Sequence, residues 1–220
     1  MKNIKAIIFD AYGTLFDVNS AADKCKYKIG DKWEGFANYW RTTQLEYTWL
    51  RSLMKRHKDF WQVTEDSLDK SMKAYEIDSS LKNELLDLYK ILSTFKEVPE
   101  VLKLIKEKNY KLAILSNGTP SLINELVKSN NLENIFDDIF SIEEIGVYKP
   151  DFKVYDIPIK RYQIQRNEVA FLSANTWDVS GGGNYGYNSI WVNRSNNTFD
   201  NLDYVPKYQI KDLSKLLDII

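Results

Sequence analysis

Two hundred and twenty residues, 44% hydrophobic and 28% charged, suit a folded domain large enough to carry an insert. Thirty Lys and Arg against 31 Asp and Glu leave a net charge of −1, which argues against a nucleic-acid or anionic-membrane binder. One cysteine, Cys25, and one histidine, His57, exclude an internal disulfide and a Cys- or His-rich zinc site, and weigh against Ser-His-Asp or Cys-His catalysis. Carboxylates, Lys, Arg or hydroxyls are left to carry any chemistry.

The N-terminus runs directly into Ile4-Lys5-Ala6-Ile7-Ile8-Phe9, too short for a secretory apolar region with a cleavage site. No run approaches the ~20 apolar residues of a membrane span. Both observations, with the lone cysteine, give a cytoplasmic protein as the expectation. Residues 4–9 read as a buried strand ending at Asp10 and a turn at Gly13. Residues 20–94 read as almost all helix, with Phe36, Trp40, Tyr47, Leu50 and Met54 at helical spacing and helix starts at Thr64 and Ser79. Beyond Pro99, helices at 100–108, 121–129 and 152–163 alternate with strands at 111–115, 139–140 and 169–172. A glycine-weakened helix at 178–186, a strand at 189–192 and a closing helix at 213–217 follow. Gly181-Gly182-Gly183 and Pro158 are expected to loosen or interrupt their helices. Alternating strands and helices imply an α/β core with a parallel sheet. The block at 20–94 reads as a helical cap inserted into a core made of 1–19 and 95–220.

In an open parallel sheet, ligands bind beyond the carboxyl ends of the strands. Four such positions carry polar residues: Asp10, Ser116-Asn117, Lys149, and Ser173-Asn175-Asp178. Each alone has a plainer reading as a cap, a turn former or a surface lysine. Together they form the mixture a preorganised polar pocket requires. A carboxylate is a competent nucleophile that forms an ester intermediate. Lys149 would keep such a carboxylate ionised or hold an anionic substrate. Ser116 and the amides after it would suit a carboxylate ligand.

Phe9-Asp10-Ala11-Tyr12-Gly13-Thr14-Leu15-Phe16-Asp17, Leu115-Ser116-Asn117-Gly118, Tyr148-Lys149-Pro150 and Ser173-Ala174-Asn175-Thr176-Trp177-Asp178 resemble, in order, the four motifs of the haloacid dehalogenase superfamily. The run 39–51 around Arg41 resembles the cap signature of the L-2-haloacid dehalogenases. The resemblance implies a Rossmann-like core with a helical cap, a homodimer, and hydrolysis of L-2-haloacids to D-2-hydroxy acids and halide without metal or other cofactor. By that likeness Asp10 attacks the halogen-bearing carbon. Arg41, Asn117 and Trp177 cradle the halide, and Ser116 holds the substrate carboxylate. Lys149, Ser173, Asn175 and Asp178 orient Asp10 and the water, supported by Thr14 and Tyr155. Tyr12, Leu45, Phe60 and Trp177 wall the alkyl group.

Most of the superfamily resembled here are magnesium-dependent phosphatases with two further carboxylates. At those positions this chain has Tyr12 and Ala174, neither of which offers the anionic oxygen that Mg²⁺ prefers. A phosphatase with a degraded metal site and a non-catalytic carboxylate-binding protein remain the alternatives.

Overall fold

The computed structural model describes residue 1 and residues 3–220. Among these residues the sheet has six parallel strands: β1 (Ala6–Phe9), β2 (Lys111–Ser116), β3 (Asp138–Ser141), β4 (Val169–Ser173), β5 (Asn188–Val192) and β6 (Tyr208–Ile210). Their order is β3-β2-β1-β4-β5-β6, so β1 is central and the chain moves outward from it first on one side and then on the other. Ile7, Ile8 and Phe9 of β1, Leu112 to Leu115 of β2 and Val169 to Leu172 of β4 are fully buried. Strands covered on both faces read as continuous apolar runs, which is why these segments were legible without alternation. Register pairs Phe9 with both Ile114 and Leu172, and the Asp10 amide donates to the Leu172 carbonyl at 2.8 Å. The polar residues following these strands therefore emerge side by side at one edge.

Five helices lie between β1 and the helix that precedes β2: α1 (Ser20–Lys24), α2 (Lys26–Ile29), α3 (Trp33–Leu53), α4 (Phe60–Ala74) and α5 (Lys82–Lys90). The two chain crossings into and out of this helical cap run side by side. Asp17 N donates to Ser93 O at 2.8 Å and Phe95 N to Leu15 O at 3.1 Å. The helix α4 starts earlier than Thr64: Asp59 is its cap, accepting from Gln62 N at 2.8 Å, and Thr64 is buried mid-helix. Likewise Asp78, not Ser79, caps the short 3-10 turn before α5. In both cases an acidic residue upstream, by five positions for Asp59 and by one for Asp78, takes the cap position.

The remaining helices are α6 (Val98–Lys106), α7 (Pro120–Ser129), α8 (Phe152–Tyr162) and α9 (Thr176–Tyr185). Pro158 does not interrupt α8, whose buried face includes Val154, Tyr155 and Pro158 itself. Packing of that face offsets a local penalty of ~3 kcal/mol for an interior proline. The closing segment, Leu213–Asp218, is a 3-10 helix, and the short edge strand β6 carries no pattern strong enough to predict.

The triple glycine in α9 has a packing reason. A Cβ on Gly181 would lie 2.7 Å from Pro150 Cβ and closer still to the Tyr155 hydroxyl; one on Gly182 would lie 2.7 Å from the Phe171 ring. The helix is pressed against α8 and β4, and only glycine permits that approach. Gly181→Ala should therefore destabilise the protein by about 1–3 kcal/mol through overpacking, despite alanine's better helix propensity. Thermal unfolding checks this; an unchanged or higher midpoint would contradict it.

Candidate active site

Asp10, directly after β1, is 5% exposed, and its two carboxylate oxygens have unequal surroundings. Oδ2 faces three donors: Thr14 Oγ1 at 2.9 Å, Asn175 Nδ2 at 2.9 Å and Ser173 Oγ at 3.4 Å. The direction of the two hydroxyl bonds follows from their other partners. Thr14 Oγ1 accepts from Ala174 N at 2.8 Å, and Ser173 Oγ accepts from Asn175 N at 3.1 Å. Both hydroxyl protons are thereby directed at the carboxylate. Among the described residues, Oδ1 meets one group, Lys149 Nζ, at 3.1 Å.

Lys149 is fully buried and also reaches Asp178 Oδ2 at 2.9 Å. Asp178, in the first turn of α9, accepts a second bond on Oδ1 from the Tyr155 hydroxyl at 2.7 Å. Two carboxylates thus share one ammonium in a closed space. Burial pushes Asp178 up to about 6; Lys149 pulls it the other way, and Asp10 adds to the rise. For Lys149, burial works downward, but the charges of Asp10 and Asp178 outweigh it and hold the ammonium above its ordinary value. Burial also raises the Tyr155 hydroxyl well above its usual range, so it stays a donor.

At the end of β2, Ser116 Oγ accepts from Gly118 N at 2.9 Å, which engages that amide and leaves the serine proton for another acceptor. The helix α7 begins later, at Pro120, capped by Thr119, so Ser116 and Asn117 lie in the loop between β2 and that helix. Asn117 Oδ1 accepts from Lys149 N at 3.0 Å, which fixes the loop carrying the lysine and frees Nδ2.

From the cap, Arg41 Nη1 donates to Gln44 Oε1 at 2.8 Å and Nη2 to the Tyr12 carbonyl at 3.4 Å. The Tyr12 ring lies 5.0 Å from that of Phe60 and is stacked 5.7 Å from that of Tyr89. Its hydroxyl is buried without a hydrogen-bond partner among the described residues, and burial raises its pKa well above the ordinary tyrosine value. Leu45 is half-buried on α3 beside Gln44. Trp177 is half-buried and packs edge-on at 5.4 Å against Trp49 of the cap, which places Trp49 at the seam of cap and core. His57 also bridges that seam, 3.0 Å from Glu143. The structure thus gathers Asp10, Thr14, Lys149, Tyr155, Ser173, Asn175 and Asp178 into one hydrogen-bonded group. Arg41 and Tyr12 approach it from the cap side.

Two features lay outside the sequence reading. Arg194 stacks on Phe95 with 3.8 Å between guanidinium carbon and ring centre, pairs with Glu97 at 2.6 Å and donates to the Thr14 carbonyl at 2.8 Å. It follows β5 by two residues, so the strand-end rule that found the other groups would have found it. Gln44 and Tyr89 are buried polar residues inside the cap. Gln44 falls one turn after Arg41 on α3, inside the 39–51 run, and that position is its signal.

The profile of the haloacid dehalogenase-like hydrolase family matches residues 4–186. The chain is 38% identical, over all of its length and 95% of the relative's, to an (S)-2-haloacid dehalogenase of Pseudomonas sp. (strain YL). It is 36% identical to (S)-2-haloacid dehalogenase 4A of Burkholderia cepacia, over 99% of this chain and 95% of that one. A solved L-2-haloacid dehalogenase from Xanthobacter autotrophicus, with chloropropionic acid covalently bound, superposes with a TM-score of 0.91 at 30% identity, covering 98% of each chain. The full-length match and the carboxylate–lysine–carboxylate arrangement at the strand ends agree: the chain belongs to the haloacid dehalogenase-like hydrolases, in the branch of the (S)-2-haloacid dehalogenases.

Proposed function

We propose that the protein hydrolyses L-2-haloacids to D-2-hydroxy acids and halide through an ester on Asp10. The observation that carries this reading is the asymmetry at Asp10. Oδ1 has one partner and is the oxygen available to attack the carbon bearing the halogen from the side opposite the halide, which inverts that centre. Oδ2 then becomes the ester carbonyl oxygen, already facing Thr14, Asn175 and Ser173. When water adds to that carbonyl, the negative charge develops where three donors are aimed, as an oxyanion hole requires. Asp178 takes one proton from the water; collapse of the adduct expels the alkoxide, which takes the second proton from the new Asp10 carboxyl, restoring the carboxylate and releasing the hydroxy acid, and Asp178 returns its proton to solvent as the halide departs. Arg41, with Asn117 Nδ2 and the Trp177 edge, receives the halide. Ser116 binds the substrate carboxylate, and Tyr12, Leu45, Phe60 and Trp177 enclose the alkyl group. A leaving halide needs no proton, so Tyr12 in place of an acid is no handicap. The cation between the two carboxylates is Lys149, and the reaction proceeds without a metal ion.

The helical block at 20–94 acts as a cap over a core of 1–19 and 95–220, a division supported by the paired crossings at Asp17–Ser93 and Leu15–Phe95. The chain pairs with a second copy, a reading supported by the family likeness and by Leu50, Leu53 and Met54 exposed on and just beyond the end of α3. Light scattering that returns the mass of one chain would remove the dimer from the proposal.

Chloride release from L-2-chloropropionate in EDTA tests the activity. Release from the L-enantiomer, with D-lactate as product, is the expected result. Turnover of the D-enantiomer alone, or activity only when Mg²⁺ is restored, overturns the reading in favour of another reaction on the same fold.

The rate should fall as pH drops through about 6, because protonating Asp178 removes its capacity to accept the water's proton. Stability carries the opposite sign. A folded pKa above the ordinary 3.8 favours the folded state most below 3.8, and that contribution is lost as pH rises through about 6. An acid limb in turnover without parallel loss of circular dichroism is expected; a flat rate across that window excludes Asp178 as the proton acceptor.

A further inference from the structure

The cap contains a group of buried polar side chains that the steps above leave unused. Gln44 on α3, Thr64 on α4 and Tyr89 on α5 are all at most 3% exposed. Groups at such depth need partners, and here the partners impose a direction. The Thr64 hydroxyl donates to the Phe60 carbonyl at 2.7 Å, so toward Gln44 it presents a lone pair. Gln44 Nε2 therefore faces Thr64, at 2.7 Å, and the Tyr89 oxygen, at 3.0 Å. That leaves Oε1 on the side of Arg41, whose Nη1 donates to it at 2.8 Å, while the Tyr89 proton closes back on Oε1 at 3.3 Å. With the amide reversed, its NH₂ group would oppose the guanidinium donor to donor. Thr64 thus decides which way Gln44 points, and Gln44 decides where the guanidinium sits. The other hold on Arg41, from the Tyr12 carbonyl, is the longer one at 3.4 Å. The Tyr89 ring, stacked on Tyr12, ties the same group to the loop that follows Asp10.

We infer that Gln44, Thr64 and Tyr89 are positioning residues that aim the Arg41 guanidinium at the departing halide. The inference rests on the haloacid reading. Halide charge exists fully only after the carbon–halogen bond has broken, so a misaimed guanidinium weakens the transition state more than the bound substrate. Gln44→Leu keeps the volume and removes both amide ends. Its kcat on L-2-chloropropionate should fall about 10- to 100-fold, the scale set by an ångström of misplacement. Its KM should stay within about threefold of wild type, since ground-state binding is little changed. The loss should be smaller on L-2-bromopropionate, whose better leaving group needs less help, and inhibition by added chloride should weaken. Thr64→Val, which keeps the shape without the hydroxyl, should follow Gln44→Leu, while Thr64→Ser should keep wild-type kcat.

A Gln44→Leu turnover within about twofold of wild type overturns the inference. So does an equal loss on chloride and bromide substrates, or equal behaviour of Thr64→Val and Thr64→Ser. If Gln44→Leu does not fold, the Thr64 pair decides alone. Wild-type protein that releases no halide from either substrate refutes the haloacid reading and this inference with it. An active wild type with an equally active Gln44→Leu refutes only the inference.

Discussion

Asp10→Asn is expected to abolish halide release while leaving the fold in place. A neutral amide nitrogen is not a nucleophile, and the amide oxygen is drawn to the side of the three donors, Thr14, Asn175 and Ser173. The NH₂ group then faces the Lys149 ammonium, donor against donor, where Oδ1 accepted at 3.1 Å. Loss of a nucleophile in a preorganised site lowers turnover by a factor on the order of 10³ to 10⁶. The lost hydrogen bond in a buried setting costs about 1–3 kcal/mol, well below global unfolding for a domain of this size. Chloride release under single-turnover conditions, together with thermal unfolding, checks both halves. A variant that retains a tenth or so of wild-type turnover would mean that Asp10 is not the attacking group. Mass spectrometry adds an independent reading. After one turnover in ¹⁸O water, the heavy oxygen should be found on Asp10, because water attacks the aspartyl carbonyl and not the substrate carbon.

Lys149→Met should be the most damaging change to the site's stability. The lysine is fully buried between Asp10, at 3.1 Å, and Asp178, at 2.9 Å. Methionine matches its length and removes its charge, so two buried carboxylates face each other without a cation. Removing one partner of a buried ion pair costs about 3–5 kcal/mol. For a chain of this length that lowers the unfolding midpoint by about 6–20 °C. Turnover should fall by at least about 10²-fold, because the attacking oxygen loses its neighbouring charge. The pH dependence distinguishes this from a packing defect. A protonated carboxyl needs no cation, and without Lys149 the Asp178 carboxyl takes up its proton above the value of about 6 that it has beside the ammonium, so the destabilisation relative to wild type should shrink as pH falls toward about 6. A destabilisation independent of pH would show that the lysine acts through its stem and not its charge. Lys149→Arg should not rescue activity, since a planar guanidinium has no room where an ammonium is held between two carboxylates.

Apart from the edge strand β6, the order of helices and strands, the inserted helical block and the polar strand ends were legible in the residues themselves. Each rests on a local rule. Buried parallel strands are continuous apolar runs, cap helices repeat at helical spacing, and a carboxylate after a buried strand is placed at the rim by the strand alone. Asp10, Ser116, Lys149 and Asp178 were named in this way, from the strand ends and their loops. Arg41, Tyr155 and Thr14 were named only through family likeness: a helix residue such as Arg41 or Tyr155 has no local mark that tells a site from a solvated face, and a turn threonine such as Thr14 reads equally well as a turn former.

Other features required the tertiary structure. Gly181 to Gly183 read as weakness in the chain, yet Gly181 and Gly182 allow α9 to approach Tyr155 and Phe171, and Gly183 makes room for Tyr204. Pro158 read as a break, yet its buried face carries α8 through. Thr64 read as a helix start, yet its hydroxyl orients Gln44, 20 positions earlier in the chain. Which Asp10 oxygen is free to attack depends on donors that come from positions 14, 173 and 175. Propensity and periodicity are properties of neighbours along the chain, so they specify elements and the ends where side chains emerge. The direction of a hydrogen bond, the charge balance of a buried trio and the space for a Cβ are properties of groups brought together only by folding, and no local pattern encodes them.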